Sequence, residues 1–283
     1  MSYLSRIPIA PLRTGARKLL RSPQAMHAAV LGAVAYHPEP GRTLWRLDTD
    51  NPHRPHLYVL TQPQPDWTAF VEQAGWNVDD AHAKPAVAAY KPLLARLQAG
   101  QEYAFRLTAS PVMTTKRPEL LNPTQVARQK KDLESGKAKV RLSHRVAHRT
   151  TEAQIAWLTE RIPQYGFELM PIPGTADPAP GIYPFTDTET TTHPIPDIRI
   201  TRQSSHAFTK DLTDQTGAKT GGTTKVTIAT ATYEGTLRVT DPVTLARTLI
   251  TGIGRSKAYG CGLLTLAPPA TTPHHQQPTA PPN

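Results

Sequence analysis

The strongest constraint on the fold is the order in which hydrophobic periods alternate along the first 110 residues. Tyr3, Leu4, Ile7 and Ile9 are interrupted by polar residues, as in a strand over 3–9. Ser22 is a good N-cap, and Pro23 suits the first helical position, where a missing N–H costs nothing. Met26, Ala29, Val30, Ala33 and Val34 then recur at helical spacing, so 22–34 is expected to be a helix. Leu44–Asp48 and His56–Thr61 read as strands joined by the turn Asn51-Pro52-His53-Arg54-Pro55. Asp66 caps a further helical segment, and Glu102–Ala109 alternates as a strand. Strand, helix, strand, strand, helix, strand is the order of a ferredoxin-like unit.

A second unit of similar order begins at Thr151. Glu152–Leu158 is helical and Phe167–Met170 is a short strand. Residues 171–195 are rich in Pro and Thr, as a long loop would be. Asp197–Ala207 and Lys225–Val239 read as a β-pair around a polar, glycine-rich tip. Asp241 caps a helix with Pro242 at its first position, and Leu263–Ala267 is the last strand. The length of 283 residues fits two domains at roughly 150 residues each. The expected division is a first domain over 1–113, a basic linker over 114–150, a second domain over 151–268 and a disordered tail over 269–283. His274 and His275 in that tail carry no assigned role.

Charge narrows the partners. The chain carries a net +10, and a chain that basic often meets a polyanion, although solubility alone is the plainer reading. Residues 135–150 hold Lys137, Lys139, Arg141, Arg145 and Arg149 and no acid. Such a run is either a solvated surface or a footprint for phosphates. Aromatic residues make up only 6%, so base stacking on exposed rings is not an obvious theme. Cys261 is the single cysteine, which excludes an internal disulfide and a cysteine-rich zinc site. No apolar run approaches the roughly 20 residues of a membrane span, and the N-terminus lacks a signal peptide's apolar stretch. A cytoplasmic location is therefore expected.

Residues 251–268, TGIGRSKAYGCGLLTLAP, concentrate Gly252, Gly254, Gly260 and Gly262 with Arg255 and Lys257. This is not a Walker A loop, because no glycine precedes Lys257, and it is not a dinucleotide fingerprint, because the helix comes first. A helix, a glycine-rich turn and a strand remain. Glycines let backbone approach a ligand, and successive N–H groups can cradle an anion. A simple tight turn is the competing explanation.

Taken with its neighbours, this stretch resembles the C-terminal signature of the CRISPR repeat-processing endoribonucleases, in particular the CasE family of the type I-E system. YLSRIPI (3–9), LWRLD (44–48), FRLTASPVMT (105–114), QIAWL (154–158) and YEGTLRVTDP (233–242) resemble that family's segments in the same order. The resemblance implies an α+β fold of two tandem ferredoxin-like (RRM-like) βαββαβ domains with a glycine-rich loop before the last strand. It implies an enzyme that binds a CRISPR repeat hairpin in precursor crRNA and cuts at its 3′ base. No metal or other cofactor is implied: the RNA 2′-OH attacks its own phosphate, leaving a 2′,3′-cyclic phosphate and a 5′-OH. The enzyme then stays on the crRNA as a subunit of Cascade.

The family's catalytic histidine lies early in a segment like SPQAMHAAVLGAV, which maps to His27. Histidine suits proton transfer near neutral pH. His27 falls at the edge of the Met26/Val30/Ala33 face, near a helix N-terminus that attracts phosphate. Some members carry a tyrosine three residues before the histidine and a serine eight after it. Here those positions are Gln24 and Ala35, so Lys18 and Tyr36 join Gln24 as candidate auxiliaries. Arg17, Arg21, Arg141, Arg145, Arg202, Lys225, Arg255, Lys257 and the four glycines are the candidate RNA contacts. Lys210 and Lys219 lie in the same candidate hairpin as Arg202 and Lys225. The departures at Gln24 and Ala35 keep a second reading open, a weak or inactive hairpin-binding subunit of a ribonucleoprotein. A DNA-binding protein is the third, with no helix-turn-helix or zinc-finger pattern behind it.

Overall fold

The computed structural model describes residues 1–76, 83–121, 123–134, 144–172, 195–213 and 219–269. Its first unit runs β1 (Tyr3–Pro8), α1 (Thr14–Arg21), α2 (Pro23–Gly32), β2 (Leu44–Asp48), β3 (His56–Thr61), α3 (Thr68–Ala74) and β4 (Ala86–Ala89). These strands form one antiparallel sheet in the order β2-β3-β1-β4, the ferredoxin-like arrangement. The capping signals act as expected. Ser22 Oγ accepts from Ala25 N at 3.2 Å with Pro23 in the first turn, and Asp66 Oδ1 accepts from Thr68 N at 2.9 Å.

The rest runs α4 (Lys91–Arg96), β5 (Glu102–Ala109), β6 (Val112–Thr115), α5 (Pro123–Glu134), β7 (His144–Ala147), α6 (Thr151–Thr159), β8 (Phe167–Leu169), β9 (Ile198–Thr213), β10 (Lys219–Val239), α7 (Pro242–Thr251) and β11 (Leu264–Ala267). The second sheet has the order β11-β5-β10-β8, with β9 also on β10. Numbering β5, β8, β10 and β11 as first to fourth strand reproduces the order of the first sheet. The fold is thus α+β, with two tandem ferredoxin-like units.

One strand changes units relative to the sequence reading. Glu102–Ala109 does not close the first sheet; it is the central first strand of the second. It pairs with β10 from Ala109↔Ala231 to Glu102↔Arg238, and with β11 from Leu107↔Leu264 to Ala104↔Ala267. The first sheet is closed instead by β4, with Tyr3↔Ala89 through Arg6↔Ala86. All four β4 residues are exposed, so they leave no alternating pattern in the sequence. A boundary at 113 therefore cuts through the second sheet.

The 114–150 stretch is also more than a linker. Val112–Thr115 pairs with His144–Ala147 in a separate two-stranded ribbon, and α5 lies between the two strands. The long hairpin reaches further than the apolar pattern suggested, because β9 and β10 stay paired out to Thr213↔Lys219. The expected tail from 270 onward, residues 173–194 of the expected loop and Arg141 lie outside the described residues.

Two cores hold these layers. Ile7, Leu19, Met26, Val30, Leu57, Val59 and Phe70 fill the first. Phe105, Leu107, Trp157, Phe167, Tyr233, Leu237 and Leu245 fill the second, which also takes Leu44, Leu60 and Tyr90 from the first unit. The first sheet is thus covered on both faces, by its own helices and by the second unit. Arg46 fastens this joint. It is 2% exposed, donates from Nε to Asp48 Oδ1 at 2.7 Å, and reaches the Arg106 carbonyl at 2.9 Å and Thr265 Oγ1 at 2.8 Å in the second sheet.

Candidate active site

Helix α2 begins where Ser22 and Pro23 stop α1 and restart the chain. Met26 and Val30 point into the first core, and Gln24 and His27 sit half-buried on the adjoining face. Helix α1 supplies the nearby charge: Ala16 and Leu19 are buried, while Arg17, Lys18 and Arg21 are exposed on its other face. One Arg17 nitrogen donates to the Leu12 carbonyl at 2.9 Å. Tyr36 lies beyond the C-terminal end of α2, exposed, with its hydroxyl donating to the Gln64 carbonyl.

The glycine-rich stretch follows α7 and packs against α2 and β2 through a 3-10 turn, Lys257–Tyr259. Its glycines answer to the protein's own interior. Gly252 has φ +75°, and a Cβ there would lie 2.8 Å from both Leu44 Cδ1 and the Gly262 carbonyl oxygen. Gly260 has φ +83°, and its Cβ would lie 2.8 Å from the Trp45 ring. Gly252, Gly260 and Gly262 are buried, and the protein's own packing is reason enough for glycine at each. Gly254 is half-buried over Trp157.

Lys257 is likewise tied to its own neighbourhood. Its ammonium donates to the Thr251 carbonyl at 2.7 Å, closing the C-terminal end of α7, where cations are favoured. Burial, with a smaller contribution from Arg42, lowers its pKa. Arg255 is exposed. Cys261 is buried, and that burial pushes its thiol up to about 12.

Alanine at Gly260 is expected to lower the unfolding free energy by about 2 kcal/mol, the cost of left-handed backbone with a Cβ plus the Trp45 contact. Alanine at Gly32, where a Cβ meets nothing within 4 Å, is expected to raise it by about 0.5 kcal/mol. Urea unfolding of the two variants checks both signs.

Beside the turn lies a cleft of about 240 Å³. One wall is apolar: Leu19, Leu20, Pro23 and Met26 from the α1–α2 corner, with Trp45 from β2. These are the same helical turns that carry Gln24 and His27. The opposite wall is a polar stripe on the second sheet, formed by Thr108, Thr232 and Arg202 in one register row and by Ser204 and Thr230 in the next, with His206 beyond. Thr108 and Thr232 hydroxyls meet at 2.9 Å, and Ser204 and Thr230 at 2.8 Å. Ser204 Oγ lies 3.3 Å from His206 Nε2. Tyr259 and Gly260 close one end, where the Tyr259 ring meets Phe208 at 4.9 Å.

The structure thus gathers α2, the glycine turn and Arg202 around one space. Arg145 is not part of it; it is exposed on β7, and the Gln125 side chain donates to its carbonyl at 2.7 Å. Lys225 pairs through its backbone with Thr209 on β9, and its side chain lies outside the described residues. Sequence reasoning missed His206, Ser204 and the threonines. The available signal was their period of two: 202, 204, 206 and 208 share one face of a strand. Among the described residues, no three His, Cys, Asp or Glu side chains form a metal-holding group, and no helix is long and apolar enough to cross a membrane.

Comparison with known proteins follows the same outline. A family model described as "CRISPR associated protein" matches residues 2–268. The CRISPR-associated endoribonuclease Cse3 of Thermus thermophilus is 28% identical over 269 residues, covering 94% of this chain and all of that protein. The structure of Thermus thermophilus Cse3 bound to an RNA representing a pre-cleavage complex is similar at a TM-score of 0.60 and 26% identity, over 94% of this chain and 99% of that one. A structure of the CRISPR endoribonuclease Cse3 bound to 19 nt RNA matches in fold at a TM-score of 0.59 and 24% identity, over 94% and 99% of the two chains.

Proposed function

The chain belongs to the family of CRISPR associated proteins, and from that premise we propose that it is a metal-independent endoribonuclease maturing CRISPR RNA. It binds the repeat hairpin, cuts precursor crRNA at the 3′ base of the stem, and stays bound as a cytoplasmic Cascade subunit. Similarity to a Cse3 endoribonuclease, one of whose structures holds a pre-cleavage RNA, supports this reading. The observation that carries it is the meeting of α2 with the 257–259 turn, which brings the helix of His27 and the strand of Arg202 to one cleft.

The chemistry asks little beyond positioned proton carriers and fixed charge. The 2′-hydroxyl loses its proton and its oxygen bonds to the adjacent phosphorus. The bond to the 5′-oxygen breaks, and that oxygen takes up a proton. His27 carries one of these protons. Arg202 and the exposed cations of α1, Arg17, Lys18 and Arg21, offset phosphate charge. Gln24 can hydrogen-bond the 2′-hydroxyl or the phosphate, but it cannot act as an acid.

The test is cleavage of a labelled repeat hairpin in EDTA, with analysis of the product ends. A single cut at the 3′ base with a 2′,3′-cyclic phosphate and a 5′-OH is expected. Cutting that appears only when a divalent ion is restored would overturn metal independence. Gln24 and Ala35, where some relatives have tyrosine and serine, favour one alternative: a hairpin-binding subunit that does not cut. Tight binding without any cleavage would establish it.

A further inference from the structure

The cleft has features that domain packing does not need. Its apolar wall does not press onto the polar stripe; a space of about 240 Å³ separates them. Two side chains lining it also carry buried polar atoms that make no hydrogen bond within the protein, the Trp45 indole N–H and the Thr49 hydroxyl. Trp45 is only 3% exposed. A buried donor left in this state costs free energy in the empty protein, which an acceptor reaching it after a small side-chain shift would recover. Across the space stand the Arg202 guanidinium and the His206 imidazole, the latter held by Ser204.

We propose that this cleft is a pocket for one unstacked nucleotide of the RNA, next to the cut. The proposal rests on the nuclease reading above and deepens it. The base lies against Leu19, Leu20 and Met26, and its polar edge takes the Trp45 N–H and the Thr49 hydroxyl. The phosphate of that nucleotide faces Arg202 and His206. Single-stranded bases are commonly recognised in this way, splayed out onto an apolar surface with their edges hydrogen-bonded. Burial, then Arg202, lowers the pKa of His206, which leaves Arg202 as the fixed positive charge near neutral pH. Among the described residues no carboxylate lines the cleft, and the titratable groups that do are Arg202, His206 and Tyr259.

The pocket is tested by combining Trp45→Phe with hairpin RNAs in which each nucleotide flanking the base of the stem is made abasic in turn. Single-turnover cutting and hairpin affinity are measured together. Wild-type protein should lose about tenfold in rate or affinity at one abasic position. Trp45→Phe should lose about as much on intact RNA and nothing further on that abasic RNA. Its melting temperature is read alongside, because phenylalanine removes the unpaired N–H but leaves part of the indole's space empty. Arg202→Gln should lose rate on both RNAs, since its contact is with the phosphate.

No sensitive abasic position, a wild-type rate and affinity for Trp45→Phe, or equal Trp45→Phe losses on intact and abasic RNA would each overturn the pocket. The nuclease reading is judged separately, by whether wild-type protein cuts intact RNA. If it binds without cutting, the affinity arm still decides the pocket.

Discussion

Alanine at position 27 is expected to slow cleavage of the repeat hairpin by about 10²–10⁴-fold, the usual contribution of one positioned proton carrier. Hairpin affinity should stay close to wild type, because phosphate contacts come from cations elsewhere on the surface. His27 is half-buried beside Met26 and Val30, so alanine removes little core volume, and melting temperature separates a chemical loss from a folding loss. Glutamine at 27 retains polarity and size but can neither take up nor release a proton near neutral pH; its rate should fall as far. Wild-type cutting by either variant would move the proton-transfer role off His27. Among the auxiliaries, Tyr36 is poorly placed to replace it, beyond the far end of α2 with its hydroxyl turned to Gln64.

The second large effect falls on stability. Alanine at Arg46 is expected to lower the unfolding free energy by about 3 kcal/mol, because it breaks a buried ion pair from one side. The guanidinium holds Asp48 through two bonds, Nε–Oδ1 at 2.7 Å and Nη2–Oδ2 at 3.0 Å. It also satisfies the Arg106 and Leu263 carbonyls, which belong to the other unit, and packs over the Tyr58 ring at 5.2 Å. Lysine keeps the charge but cannot make the forked contact, so Arg46→Lys should recover only a minor part. Arg106 continues the network, pairing with Asp48, Asp50 and Glu234. Burial opposes its charge, but these carboxylates outweigh burial and raise its pKa. Urea unfolding followed by intrinsic tryptophan fluorescence checks the size; a change below about 1 kcal/mol, the range of a surface ion pair, would show that the joint does not depend on Arg46.

Local signals read well wherever the chain meets only its near neighbours. Ser22-Pro23 and Asp241-Pro242 mark helix starts because a capping side chain and a proline act within a few residues; Asp241 does accept from the Val243 and Thr244 N–H groups. Leu57, Tyr58, Val59 and Leu60 form an unbroken apolar run, which signals a strand covered on both faces. The structure shows the two covers, with Leu57 and Val59 in the first core and Leu60 in the second. His27 was reached through resemblance, because an imidazole at a helix edge has no local signature of catalysis.

By itself, then, the sequence determined where the capped helices and the alternating strands begin, that two units of similar order follow one another, and that the partner is expected to be polyanionic. Those properties depend on spacing, capping and charge, all set within short stretches of chain. Only the tertiary structure decided which sheet takes Glu102–Ala109, because alternation marks a strand but not its partner some 130 residues away. Only it decided why the glycines are needed: the space beside Gly252 and Gly260 is filled by Leu44 and Trp45, two hundred residues earlier in the chain. The cleft is of the same kind. Trp45, Thr49 and His206 come to line one space only when two sheets are held face to face, and no short-range pattern encodes that meeting.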